Sequence, residues 1–199
     1  MDVNSLLQGQ LPDGLLDQIS QQIGGDKEQT ATAASGIIST LLGGLAQNAG
    51  SGDGAGAIAN ALDRDHNGSI LDNLSSLFSG QEQATPTTNG AGILDHILGD
   101  KTSGAADLIG KLSGLSTDQS GNLMQILAPI LMGALGKAKQ EGGLDGGGIA
   151  SLLTNLVTQQ TGNTGSNPLI GMVSQFLDRN NDGNVIDDVA GMIGGFFKK

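Results

Sequence analysis

Two stretches of this chain share one pattern of residues, and their similarity constrains the fold more than any other feature. Residues 24–49, GGDKEQTATAASGIISTLLGGLAQNA, align without gaps with residues 114–139, GLSTDQSGNLMQILAPILMGALGKAK. Each begins with a residue that commonly caps a helix, Asp26 in the first and Ser116 in the second, and continues with a polar, acid-bearing turn. Apolar residues then recur at helical spacing. The pattern predicts two related core helices.

The rest of the sequence also favours helices. The chain has 199 residues with 34 Gly, 4 Phe and no Trp, Tyr or Cys, so its core must be built from Leu, Ile, Val, Ala and Met. No segment alternates with the period of two that marks a strand. Shorter helices are predicted at 13–23, 54–62, 70–78, 91–99, 103–113, 146–160, 168–177 and 185–197. The expected fold class is all-α.

Glycines interrupt the apolar stripes of both predicted core helices. Glycine is a poor helix former, so its presence there indicates that another helix approaches closely. The glycines in question are Gly36, Gly43, Gly44, Gly133 and Gly136.

The two halves are predicted to be related helical modules joined by a linker. The stretch SGQEQATPTTNGAG mixes Ser, Gly, Thr, Pro and Gln without apolar periodicity, as linkers do. The predicted division is a first module at 1–79, a linker at 80–91 and a second module at 92–199.

Each module carries an acidic loop that begins like a calcium-binding EF-hand loop. DRDHNGSILDNL at 63–74 and DRNNDGNVIDDV at 178–189 both place oxygen-bearing residues on alternate positions ahead of a glycine, between two apolar segments. Calcium takes six to eight oxygen ligands, and this alternation lets a chain wrap around the ion. We therefore predict two EF-hand-like loops that bind two calcium ions.

The predicted ligands follow from position in each loop. Side chains at the first, third and fifth positions, the backbone carbonyl at the seventh and the carboxylate at the tenth are the candidates. They are Asp63, Asp65, Asn67, Ser69 and Asp72 in the first loop and Asp178, Asn180, Asp182, Asn184 and Asp187 in the second.

The loops depart from the EF-hand at the twelfth position, where a bidentate glutamate is expected and the first loop has Leu74. Asp72 and Asp187 replace it if the following helix starts early. Magnesium is disfavoured because it demands tighter octahedral geometry. The alternative is that Asp and Asn cap the next helix, glycine fills a left-handed turn position, and no ion binds.

The second half resembles a bacterial family of unknown function, the YidB-like domains and the related domain of unknown function numbered nine hundred and thirty-seven. The residues that carry the resemblance are GILDHILGD at 92–100 and the stretch at 114–139. Similarity extends over 90–155, with a weaker echo in 10–50. The resemblance implies a small helical fold and brings no established activity, catalytic residue or ligand.

Charge and motif content argue against several functions. The formal net charge is −11 and only nine Lys and Arg are present, which disfavours nucleic acid and anionic lipid. The most apolar run, residues 126–135, is shorter than the roughly 18 residues of a membrane span. No GxSxG, HExxH or Walker sequence occurs, and His66 and His96 have no visible partner, so no enzymatic activity is expected.

The remaining expectation is a non-enzymatic helical protein. Calcium as structural support is the first hypothesis, and a metal-independent module that binds a protein partner or itself is the second. Met124, Met132 and Met172 lie on apolar stripes and suit either a core or an adaptable groove. No signal peptide is visible, which makes the cytoplasm the default compartment, although weak calcium sites would point to the periplasm or exterior.

Overall fold

The fold is described here from a computed structural model, which describes residues 3–7, 10–72, 74 and 88–162. Every regular element in that part of the chain is helical and none is a strand, which confirms the all-α prediction there. A 3-10 turn at Gly99–Lys101 precedes the helix that begins at Thr102. The helices are α1 (Val3–Leu7), α2 (Asp13–Ile23), α3 (Lys27–Ala49), α4 (Gly54–Arg64), α5 (Ser69–Asp72), α6 (Gly90–Leu98), α7 (Thr102–Ser113), α8 (Thr117–Gly142) and α9 (Gly146–Gly162).

The two long helices, α3 and α8, begin at the predicted caps. The Asp26 carboxylate accepts hydrogen bonds from the backbone N–H groups of Glu28 at 2.8 Å and Gln29 at 3.4 Å. Ser116 forms a reciprocal capping box, in which its hydroxyl accepts from the Gln119 N–H at 3.1 Å and Gln119 Oε1 accepts from the Ser116 N–H at 2.9 Å. Both predicted caps are confirmed.

The aligned stretches form equivalent helix–glycine–helix units. Gly24 ends α2 with φ 68° and Gly114 ends α7 with φ 84°, in the left-handed region that favours glycine. The amide of Gln119 donates to the Gly24 carbonyl at 2.8 Å. A Cβ added to Gly114 would lie 2.8 Å from Nε2 of Gln29, the residue aligned with Gln119. Duplication of the module itself stays a prediction.

The core lies around α3 and α8, which contact each other. The helices α6 and α7 pack on α8, while α9 packs on α3 and α4. Ile37, Leu41, Leu127 and Leu131 are among the core residues with 1% exposure or less. One hydrophobic cluster therefore includes residues from both predicted modules.

The start of α6 corrects the predicted linker. Helix α6 begins at Gly90, so the last two residues of the proposed linker are helical. The reason is a cap, because the Asn89 side chain accepts from the Gly92 N–H at 3.0 Å. The rest of the linker at 80–87, and the helices predicted at 168–177 and 185–197, lie outside the described residues.

Three of the five stripe glycines meet close neighbours. A Cβ on Gly44 would lie 2.8 Å from Ile97 of α6. A Cβ on Gly133 would overlap the Ile70 side chain of α5, and one on Gly136 would overlap the backbone carbonyl of His66. A Cβ on Gly36 would lie 3.8 Å from Ile109, an ordinary van der Waals distance, so close packing does not explain that glycine.

Candidate functional site: the acidic loop and the adjoining cleft

The first acidic loop connects two helices, as predicted. Helix α4 ends at Arg64, and α5 begins at Ser69. Between them Gly68 has φ 92°, in the left-handed region, so the chain reverses at the glycine of the DxDxNG pattern. The loop therefore provides a helix–loop–helix arrangement.

Asp63 lies in the last turn of α4 and forms an ion pair with Lys139 of α8. Lys139 Nζ donates to Asp63 Oδ1 at 2.6 Å. The Lys139 side chain is 13% exposed and that of Asp63 is 56% exposed. A protein cation therefore contacts the carboxylate predicted to be the first metal ligand.

Asp65 and Asn67 also have partners within the loop. Arg64 donates through Nε and Nη2 to Asp65 Oδ2, at 2.9 and 2.6 Å. The Arg64 guanidinium holds the pKa of the Asp65 carboxyl below its usual range. Asn67 Oδ1 accepts from the Ser69 N–H at 3.1 Å and so caps the start of α5.

The other ligands predicted in the first loop lie on the surface of the protein. Asp72 lies exposed at the end of α5, and Ser69 is exposed at its start. Ile70 is buried against Gly133, which makes it a core residue. Among the described residues, no three His, Cys, Asp or Glu side chains form a group that would hold a metal ion. The second-loop candidates lie outside the described part of the chain: Asp178, Asn180, Asp182, Asn184 and Asp187.

His66 is the buried residue of the loop. It is 5% exposed, and its Nδ1 atom is buried without a hydrogen-bond partner in the structure. Burial lowers the pKa of its imidazole, and the positive charge of Arg64 adds to that effect, whereas the negative charge of Asp65 opposes it. The neutral ring is therefore the form that the folded chain favours.

A cleft of about 450 Å³ lies beside the loop, between α3, α4 and α6, and Met132 of α8 contributes to it. Both histidines of the chain, His66 and His96, line this cleft. Most of its wall is apolar, from Leu45, Ile58, Ala61, Ile93, Ile97 and Met132.

Hydrogen bonds fix the polar residues of the cleft. The Asn48 amide donates to the carbonyls of His96 and Ile97, each at 3.2 Å, and so ties α3 to α6. His96 Nδ1 lies 2.8 Å from the carbonyl of Gly92, which can only accept, so Nδ1 carries the proton. Asn89 caps the same helix. These polar side chains are held in place before any ligand enters.

Sequence reasoning missed Lys139, Asn48 and the burial of His66. Asn89 had a local signal, because Asn before a helical segment is a preferred cap. Lys139 and Asn48 had none, since each contacts a segment at least 48 residues away in sequence. The spacing of His66 and His96 in the sequence likewise did not indicate that both residues line one cleft.

In its described residues the chain is therefore an all-helical protein. An acidic helix–loop–helix borders a mostly apolar cleft in it. No helix in the described residues is both long and apolar enough to cross a membrane.

The chain belongs to the family described as bacterial protein of unknown function, DUF937, which it matches over residues 5–138. The resemblance to this family is thus confirmed. The matched stretch includes the weaker echo expected in 10–50 but stops at residue 138, short of the 155 expected. It includes the first acidic loop and ends before the second. No curated protein and no solved structure matches the chain.

Proposed function

We propose that this chain is a non-enzymatic helical binding module whose first acidic loop is a structural element that needs no metal. In this proposal the loop holds α4 and α5 against α8, and the cleft beside it is where a partner binds. The observation that carries the proposal is the ion pair between Lys139 and Asp63, with Nζ and Oδ1 2.6 Å apart.

Lys139 supplies the positive charge that calcium would otherwise supply. Its side chain is 13% exposed, so it depends on a nearby carboxylate more than a fully exposed lysine does. A calcium ion bound by Asp63 would have to compete with it. Asp65 is paired with Arg64, and Asn67 accepts a backbone N–H, so the side-chain ligands predicted at the first, third and fifth positions all have protein partners.

The glycines of α8 support the same role for the loop. The space above Gly136 is taken by the His66 backbone, and that above Gly133 by Ile70. Such contacts depend on shape and on burial of apolar surface, and neither requires an ion. The ion pair with Lys139 lies three residues beyond Gly136, about one turn further along α8.

Calcium binding by both loops is the second candidate function. The observation that favours it is the helix–loop–helix arrangement with Gly68 in the left-handed conformation at the sixth position, where an EF-hand loop has its invariant glycine. In that case Asp63 would exchange Lys139 for the ion, with Asp65, Asn67, the Ser69 carbonyl and Asp72 as further ligands. The metal would then support the helix pair.

Thermal unfolding separates the two candidates. The measurement uses the double variant Asp178→Ala, Asp182→Ala, which removes two predicted ligands of the second loop. This variant is unfolded by heat in calcium, in magnesium and in chelator. A metal-independent loop gives the same midpoint in all three. Calcium at 100 times its Kd would stabilise the folded state by about 2.7 kcal/mol, which raises the midpoint of a chain this long by roughly 5–10 °C. A rise of that size, lost when Asp63→Ala is added, would establish the calcium site instead.

A further inference from the structure

We propose that the cleft between α3, α4 and α6 is a binding site for a small, uncharged, mostly apolar molecule that carries a hydroxyl or similar hydrogen-bonding group. This inference rests on the binding role proposed above and gives it a ligand class. The size, the charge and the polar atoms of the cleft support it.

Size and lining fit a small molecule. The cleft has a volume of about 450 Å³. Small-molecule sites in proteins usually measure about 300–1,000 Å³ and combine apolar walls with a few fixed polar groups. Leu45, Ile58, Ile93 and Met132 provide such walls from four different helices.

The charge of the cleft favours an uncharged ligand. Arg64 and Asp65 are its two permanently charged residues, and they pair with each other. An anion would find no unpaired cation among the described residues that line the cleft, and a net charge of −11 on the chain adds a general repulsion. A cation would have to compete with Arg64 for Asp65.

His96 and Asn89 indicate the polar group of the ligand. The Nδ1 atom of His96 donates to the Gly92 carbonyl, so Nε2 on the other side of the ring can accept a hydrogen bond. Asn89 uses its oxygen as a cap and keeps its NH₂ group as a donor. A hydroxyl both donates and accepts, and therefore suits both residues.

Fluorescence of N-phenyl-1-naphthylamine with the full chain tests this proposal. This probe is uncharged and mostly apolar, and it carries one N–H group. We expect a saturable increase in its emission with one site per chain, and displacement by 1-octanol. The anionic probe 1-anilinonaphthalene-8-sulfonate should bind more weakly.

Substitutions on α4 locate the site. Ala57 is exposed at the cleft and Ala61 is half-buried in its wall, so Ala57→Leu and Ala61→Leu each fill part of it with a good helix former. Either change should weaken probe binding about tenfold, which corresponds to about 1.4 kcal/mol. Ala91→Leu is the matched control, since Ala91 is exposed on α6 and does not line the cleft.

The proposal is overturned if the probe shows no saturable binding up to its solubility limit, or if Ala57→Leu and Ala61→Leu both bind it as the unchanged chain and the Ala91→Leu control do. It is also overturned if the anionic probe binds more tightly. Far-UV circular dichroism confirms that each variant is folded, and having two cleft variants keeps the test valid if one of them is not. Thermal unfolding measures separately whether the loop needs a metal. That part of the proposed function can therefore fail while the cleft still binds the probe, or hold while the cleft does not.

Discussion

The backbone carbonyl of His66 lies against Gly136, in the space that a side chain at position 136 would occupy. This contact brings the acidic loop onto α8 and buries the His66 ring beside the cleft. Only glycine allows it, because any Cβ would overlap backbone atoms that cannot rotate away as a flexible side chain can.

Gly136→Ala should therefore destabilise the chain by more than about 2 kcal/mol, as overpacking of a fixed backbone contact does. Gly121→Ala in the same helix is the matched control, since a Cβ there meets nothing within 4 Å. That control should stabilise by about 0.5–1 kcal/mol through helix propensity. Urea midpoints measure both changes. Equal effects of the two substitutions would show that the loop does not pack on α8 as described.

The buried imidazole of His66 makes stability depend on pH. Burial lowers its pKa in the folded chain, so the unfolded chain binds more protons in the range below the ordinary value near 6.5. The stability from His66 is therefore complete above that value and is lost as the pH falls towards the lowered folded pKa, by at most about 1.4 kcal/mol per pH unit.

Urea unfolding at pH 7.5 and pH 5.5 measures this dependence. His66→Phe keeps an aromatic ring without a titratable group, and it should show a smaller loss between the two pH values than the unchanged chain. His96→Phe is the matched control, because His96 lines the same cleft and its side chain is exposed. A loss that is unchanged in His66→Phe would assign the effect to other groups.

The capping box at the start of α8 predicts a third outcome. Ser116→Ala removes the hydroxyl that accepts from the Gln119 N–H, and should cost about 1 kcal/mol, within the usual range for a lost cap. Ser116→Thr keeps a hydroxyl and should cost less. Thermal unfolding compares the two. Similar losses in both variants would mean that the hydroxyl contributes little to the start of the helix.

Local signals account for what could be predicted from the sequence. The caps at Asp26 and Ser116 specify where α3 and α8 begin, and the apolar stripes that follow them specify the buried faces, because capping and helical periodicity act over a few positions. The glycine at position 68 likewise predicted a left-handed turn, and the structure has one there.

Long-range contacts account for what could not be predicted. Asp63 and Lys139 are 76 residues apart, and the EF-hand pattern around Asp63 contains no information about a lysine on another helix. The burial of His66 depends on the absence of a side chain at Gly136. That glycine is far from His66 in sequence, and the two come together only in the folded chain, where the loop packs on α8. Helix α6 starts at Gly90, one residue earlier than predicted, because the Asn89 side chain caps it by accepting from the Gly92 N–H.

A double-mutant cycle between Asp63 and Lys139, followed by urea unfolding in chelator, tests the central claim most directly. Asp63→Asn and Lys139→Met each remove one charge and keep similar size, and the cycle isolates their coupling. If the ion pair holds the loop without a metal, the two residues couple by about 0.5–1 kcal/mol, the upper part of the range for partly exposed pairs, and millimolar calcium leaves that value unchanged. The account is contradicted if the coupling is zero in chelator and Asp63→Asn destabilises the chain only when calcium is present.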